Sequence, residues 1–384
     1  MKSLRHAVAL LVPAVLALGA ALSFLVFAVA RRVVTPMQRP VDTQILAVDT
    51  GAQTIELERT ADTELPGRYG LFTTGTYGYV KLGAVLGVDA TSVRRKLLTK
   101  IETGARVDRG AGFSGYYYSS PSELHLSWQN VLIGSPAGPC PAWFFPAASS
   151  TWVIQVHGRG ATRVECLRAV PVLHAAGFPN LVVSYRNDTE APRSRAGAYA
   201  LGTAEWRDVD AAIAYALRHG AERVILMGWS MGGAVSLQAS VNSSYRDRIV
   251  GLILESPVVD WRTVLRFQAR IAGIRAPLPE LAMSALQRPL TARISGADDA
   301  ISFDRLDMVA RSGELTAPML ILHSAHDGFV PIDSSLALQR ARPDLVTMPE
   351  FSVARHTKIW NYDQPGWTAA ITDWLEAQDF SASA

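Results

Sequence analysis

One stretch limits the architecture of this chain more than any other: Arg223-Val-Ile-Leu-Met-Gly228-Trp229-Ser230-Met231-Gly232-Gly233. Val224 to Met227 reads as a short buried strand. It runs straight into a Gly-x-Ser-x-Gly turn, and an amphipathic helix is expected from about Gly232 to Ser240. A serine on so tight a strand-to-helix turn is held in strained backbone, so its neighbours must be small. Gly228 and Gly232 leave that room. The turn lifts the Ser230 hydroxyl clear of the sheet and aims the Met231 backbone N–H at any oxyanion formed there. The helix N-terminus adds partial positive charge at the same point.

The flanking segments alternate between strand and helix. Trp152 to Val156 is an apolar strand running into His157-Gly158-Arg159-Gly160, and Asn180 to Tyr185 is a second. Thr162 to Ala176 and Glu205 to His219 read as helices, the latter stopped by Gly220. Val250 to Leu254, Met319 to Leu322 and Leu345 to Phe351 read as further strands. Ser334 to Ala341 and Gly366 to Ala377 read as helices. Such alternation implies a mainly parallel sheet covered on both faces by helices. From roughly Leu126 to the C-terminus the chain resembles the α/β-hydrolase superfamily, and within it the serine esterase, lipase and serine aminopeptidase-like branch.

That resemblance implies acyl transfer by a serine with an adjacent base and an orienting acid, in the chain order Ser, Asp or Glu, His. Asp327 follows a strand and precedes Gly-Phe-Val-Pro, as the family's acid does. His356, in Ala354-Arg355-His356-Thr357 before the last helix, stands where the family carries its base. Asp260, also just past a strand, is the alternative acid. The His-Gly loop at 157–160 implies a second oxyanion donor, the Arg159 N–H, beside that of Met231. The Arg159 side chain departs from the apolar residue common there and is left between binding an acidic substrate group and pointing to solvent. His157 is expected to be structural. The polar clusters at 185–188 and 205–208 are expected to be ion pairs. Residues from about 261 to 312 fall where the superfamily inserts a lid, and Trp261, Phe267, Ile271, Ile274, Leu281 and Met283 are candidates to line an apolar acyl site.

The N-terminal third reads differently. Ala7 to Ala30 carries no charge, between Lys2 and Arg5 on one side and Arg31 and Arg32 on the other. At the helical rise this run covers roughly 36 Å, enough to span a bilayer. Ala28-Val29-Ala30 also resembles a cleavage site, so a removed signal is the rival to an anchor. The short basic start favours a catalytic unit outside the cytoplasm. Alternating residues such as Thr54 to Glu58, with turns about every ten residues, predict a small β-rich domain. The expected organisation is therefore an anchor over 1–34 (spanning about 7–30), a β-rich domain over 35–123, and an α/β-hydrolase domain over 124–384.

A net charge of +3 is too small to argue for nucleic acid, and Arg94-Arg95-Lys96 is expected to be a solvated face. Cys140 and Cys166 are too few for a disulfide framework and are expected to be free, buried thiols. His323 and His326 lack a third ligand at useful spacing, so neither a metal nor a cofactor is expected. The functional expectation is a membrane-tethered serine hydrolase acting on a small or lipid-like carboxylic ester. A peptidase of the aminopeptidase-like kind, an acyltransferase, and a tethered binding protein on a hydrolase scaffold are the alternatives.

Overall fold

The computed structural model describes residues 2–36 and 39–380, with side chains from Val15 onward. The side chains of Lys2 and Arg5, which bear on membrane orientation, lie outside the described residues. The chain opens with helix α1, Lys2–Val34.

Six antiparallel strands follow: β1 (Thr43–Asp49), β2 (Thr54–Glu58), β3 (Tyr69–Phe72), β4 (Tyr79–Val88), β5 (Ser92–Leu97) and β6 (Gly110–Ser114). They close into a barrel in the order β1-β2-β5-β4-β3-β6. Alternate residues point inward, which is why Ile55, Leu57, Val80 and Leu82 are buried. Arg95 corrects the expectation of a solvated basic face. It is fully buried, and its guanidinium donates to the carbonyls of Thr63, Leu65, Gly67 and Gly83. A planar fork of five donors can tie several carbonyls of an irregular loop at once, and a neighbouring pair of exposed cations hides it in the sequence.

The second unit is a nine-stranded sheet. Its strands are β7 (Gln129–Ser135), β8 (Gly138–Phe145), β9 (Thr151–Val156), β10 (Asn180–Val183), β11 (Arg223–Trp229), β12 (Ile249–Glu255) and β13 (Met319–Ser324), with the short β14 (Val346–Thr347) and β15 (Glu350–Phe351) both on β13. The order is β14-β13-β12-β11-β9-β10-β8-β7, parallel from β10 through β14 and antiparallel at β8 and β7. This is the α/β-hydrolase fold. The single strand expected over 345–351 is two short pairings.

Helices α2 (Val170–Ala175), α3 (Trp206–Arg218), α4 (Met231–Asn242), α8 (Asp333–Ala341), α9 (Ile359–Tyr362) and α10 (Gln364–Ala377) belong to this unit; α5 (Trp261–Ile271), α6 (Leu278–Leu286) and α7 (Pro289–Ile294) lie between β12 and β13, in the segment expected as a lid. α2 is preceded by a 3-10 turn, Arg163–Arg168, so the helix expected over 162–176 is broken. α4 is not amphipathic: Met231 to Ser240 are all buried. A helix behind the central strand is enclosed on every side, and its small residues Gly232, Gly233, Ala234 and Ser236 allow the close approach.

Candidate active site

The turn between β11 and α4 holds Ser230 at φ 51° and ψ −115°, a conformation that an L-residue keeps only when its surroundings enforce it. Those surroundings are glycines. A Cβ on Gly228 would lie 2.4 Å from the Gly232 carbonyl oxygen, and one on Gly232 would lie 2.1 Å from that of Val156. The Ser230 N–H donates to the Glu255 carbonyl at 3.0 Å, and the Ser230 carbonyl accepts from Val258 N at 3.1 Å. The elbow is thus laced to the end of β12.

Three side chains from three segments meet at this point. His356 Nε2 lies 3.0 Å from Ser230 Oγ, and His356 Nδ1 lies 2.8 Å from Asp327 Oδ2. Asp327 Oδ1 accepts the N–H groups of Phe329 and Val330, both at 2.9 Å, so the turn after β13 orients the carboxylate. Burial alone would raise the Asp327 carboxyl. The facing His356 charge and hydrogen bonds from His323 and His356 outweigh it and hold the group well below the usual carboxylate range. The alternative acid is elsewhere. Asp260 caps α5, accepting from Arg262 N and Thr263 N at 2.9 and 3.1 Å and from the Thr263 hydroxyl at 2.6 Å.

The His-Gly loop abuts the serine: a Cβ on Gly158 would stand 3.2 Å from the Ser230 Cβ. Gly158 N donates to Glu165 Oε2 at 2.9 Å, and Gly160 N to the Tyr199 hydroxyl at 3.1 Å. Among the described residues the N–H groups of Arg159 and Met231 have no such loop or cap partner. His157 lies under the loop, stacked on Tyr185 with its Nε2 2.7 Å from Asp188 Oδ2. The Arg159 side chain takes neither course left open by the sequence. It turns back to α1 and donates to the carbonyls of Arg32, Val33 and Thr35, each at 2.9 Å. Free carbonyls at a helix C-terminus attract a cation in this way. The 205–208 cluster holds the Arg186–Asp208 pair, at 2.7 and 2.8 Å.

Two cavities open on the site. One, of about 190 Å³, reaches Ser230 and is walled by Trp261, Val264, Ile274 and Met283 of the lid and by Val29 and Val33 of α1. Phe267, Ile271 and Leu281 are not in that wall; Ile271 is 61% exposed. The other, of about 350 Å³, reaches His356 and lies between the barrel and the sheet unit, with Arg39, Asp42, Asp62, Glu165, Arg355 and Lys358 around it.

Three residues that sequence reasoning passed over support the site from below. The buried Glu255 carboxylate accepts Trp229 Nε1, Trp367 Nε1 and Ile359 N, joining the elbow strand to the segment after His356. Burial pushes its pKa up. Arg168 donates to Thr357 O and Asn361 Oδ1, both at 2.7 Å. Asn361 Nδ2 in turn holds the carbonyls of Arg68 and Gly115 in the barrel unit. The only trace of this in the sequence is a lone acid ending the apolar run of β12.

The model of the Prolyl oligopeptidase family matches residues 169–378, more than half of the chain. The chain belongs to the prolyl oligopeptidase family. It is a serine hydrolase, as membership of this family on an α/β-hydrolase fold implies. A Domain of unknown function (DUF8805) matches residues 44–114, the barrel. Among solved structures, an esterase of Pyrococcus furiosus superposes with a TM-score of 0.53 at 16% identity, covering 67% of this chain and 94% of its own. A thermophilic esterase of Thermogutta terrifontis has a TM-score of 0.46 at 21% identity, covering 65% and 99%. At 16% identity the likeness to the Pyrococcus furiosus esterase is one of fold. No curated protein matches the chain.

Proposed function

We propose that this family member is a membrane-anchored hydrolase that cleaves carboxylic esters through Ser230, His356 and Asp327. The observation that carries the reading is the unbroken line of hydrogen bonds from Ser230 Oγ through His356 to Asp327. In this mechanism His356 takes the hydroxyl proton as Ser230 attacks the ester carbonyl. The N–H groups of Arg159 and Met231 hold the oxyanion, and Asp327 stabilises the imidazolium. His356 then protonates the leaving alcohol, and water releases the acid by the same path.

The apolar cavity at Ser230 favours an acyl chain over a polar acyl group. Retention of the anchor is supported by α1 itself: cleavage after Ala30 would remove Val29 and Ala30, which pack into the lid and core. The catalytic unit is read as extracytoplasmic from the signal-like basic start, and digestion of intact cells with added protease tests that side. Peptide cleavage is the second reading. The family's name favours it.

The test is fluorophosphonate labelling of the full chain in detergent, beside Ser230→Ala, followed by turnover of graded acyl esters and of aminoacyl and prolyl amides. A single adduct on Ser230 with ester turnover supports the proposal. A folded protein that takes no adduct overturns it, and a preference for amides replaces it with the second reading.

A further inference from the structure

Helix α1 has an open part and a docked part. Val15, Leu18 and Phe24 are 65%, 72% and 73% exposed. Burial begins at Val26, and Ala30 and Val34 are fully enclosed against the lid and core. The uncharged run starts at Ala7, and Ala7 to Leu25 covers about 28 Å at the helical rise, close to the hydrocarbon thickness of a bilayer. The helix therefore docks where it would leave the hydrocarbon.

The lid packs at that level, through α6 and α7. Its outer surface is unlike that of a water-facing helix. Ile271, Leu281, Leu290 and Ile294 are all exposed. So are Arg266, Arg270, Arg275, Arg288 and Arg293, of which Arg266 pairs with Glu280 and Arg293 with Asp299, just beyond α7. Apolar side chains that project among arginines suit the headgroup zone of an anionic bilayer. Beneath this surface lies the apolar cavity, with Val29 and Val33 on one side and Ser230 at its end. At the roughly 30 Å³ that a water molecule takes in the liquid, its volume of about 190 Å³ equals about six waters, room for a short acyl chain.

We propose that the acyl chain passes to Ser230 directly from the anionic bilayer that holds α1, with the last turns of α1 forming one wall of the acyl pocket and α5–α7 seated on the lipid surface. The inference rests on the ester reading above. The lipid surface is the occupant of the lid's outer face because the lid packs directly on the helix that reaches the bilayer and carries the complementary charge. Arg159 then has a positioning role. One residue ties the α1 terminus to the loop whose N–H faces the oxyanion, so loss of the docked turn would loosen that loop as well as the pocket.

The experiment uses the full chain in detergent and in vesicles of phosphatidylcholine with or without phosphatidylglycerol, with fluorogenic acetyl and octanoyl esters as probes. Val33→Trp fills the wall, and the octanoyl-to-acetyl turnover ratio should fall at least tenfold. Val33→Ala enlarges the pocket and should raise that ratio. Phe24→Trp, on the open side of α1, should leave it at the wild-type value. Wild type should hydrolyse the octanoyl ester faster in anionic than in neutral vesicles, and Arg275→Glu with Arg288→Glu should abolish that advantage. Unchanged ratios in both Val33 variants, with Ser230 still labelled, overturn the pocket wall. A vesicle preference that survives both arginine reversals overturns the seated lid. Absence of labelling in the wild type instead defeats the ester reading on which both stand.

Discussion

The glycine at 232 gives the sharpest test of the elbow. Its Cα faces the end of β9, and a methyl group there would meet the Val156 carbonyl oxygen at 2.1 Å and that of His157 at 2.5 Å. The first distance is more than 1 Å short of ordinary contact, which begins at 3.4 Å. Both obstacles are backbone, so no rotamer change relieves them. Gly232→Ala must therefore push the start of α4 away from β9 by about that amount, and Ser230 moves with it. A misplacement of ~1 Å in a reacting group lowers the rate by about 10²-fold. Overpacking of this kind also destabilises by about 1–3 kcal/mol. The assay is the second-order rate of fluorophosphonate labelling at 25 °C, read beside urea unfolding so that the loss is scored on folded protein. A variant that labels within threefold of wild type would falsify the steric argument, because it would mean that the elbow can move without carrying the serine off its line to His356.

Four further outcomes follow from the geometry. Asp327→Asn should lower kcat by about 10⁴-fold through loss of imidazole orientation, whereas Asp260→Ala should cost about 1 kcal/mol of stability as a lost helix cap and leave Ser230 labelling intact. The Asp327 carboxyl is depressed below its unfolded value of about 3.9, so its contribution to stability is complete above that value and disappears as the pH falls through the folded one. Urea melts should accordingly show the gap between wild type and Asp327→Asn narrowing from pH 7 to pH 3, and a constant gap would contradict the assignment. Arg95→Met takes the guanidinium donor from three loop carbonyls and from that of Gly83 in β4, and should destabilise the protein by at least ~3 kcal/mol, seen as a lower urea midpoint. Glu255→Gln replaces an acceptor of three N–H groups by a side chain with one acceptor oxygen; it should cost about 1–3 kcal/mol and slow labelling, and equal melts would show the network to be dispensable.

The α/β-hydrolase sheet was legible because its strands are continuous apolar runs ended by glycine and loop residues. The candidate site was legible in part because glycines betray an elbow, and in part because a resemblance supplied the order in which acid and base follow it. What escaped the sequence is long-range and polar. Arg95 alternates in step with the buried Val93 and Leu97, yet its partners are carbonyls that any residue carries, and no pattern in the sequence marks them. Arg159 was unreadable for the same reason: the helix end that it holds lies more than a hundred residues away in the chain. The misread amphipathicity of α4 has another origin. Its serines and Gln238 satisfy their polar groups inside the protein, Ser236 on Gly232 O and Gln238 on Arg305 O, so a polar residue did not mark a wet face.

The bond between Asn361 and Arg68 spans 293 positions of sequence. A ribosome adding about 5–20 residues per second makes that interval roughly 15–60 s. Helix α1 and the barrel are thus made long before the segment that locks against the barrel exists. That same late segment carries His356. A nascent chain therefore holds Ser230 for 126 positions of synthesis before His356 follows, and His356 arrives with the contact that joins the barrel to the sheet unit. The candidate site and the contact that joins the two units are therefore completed by one late segment of the chain.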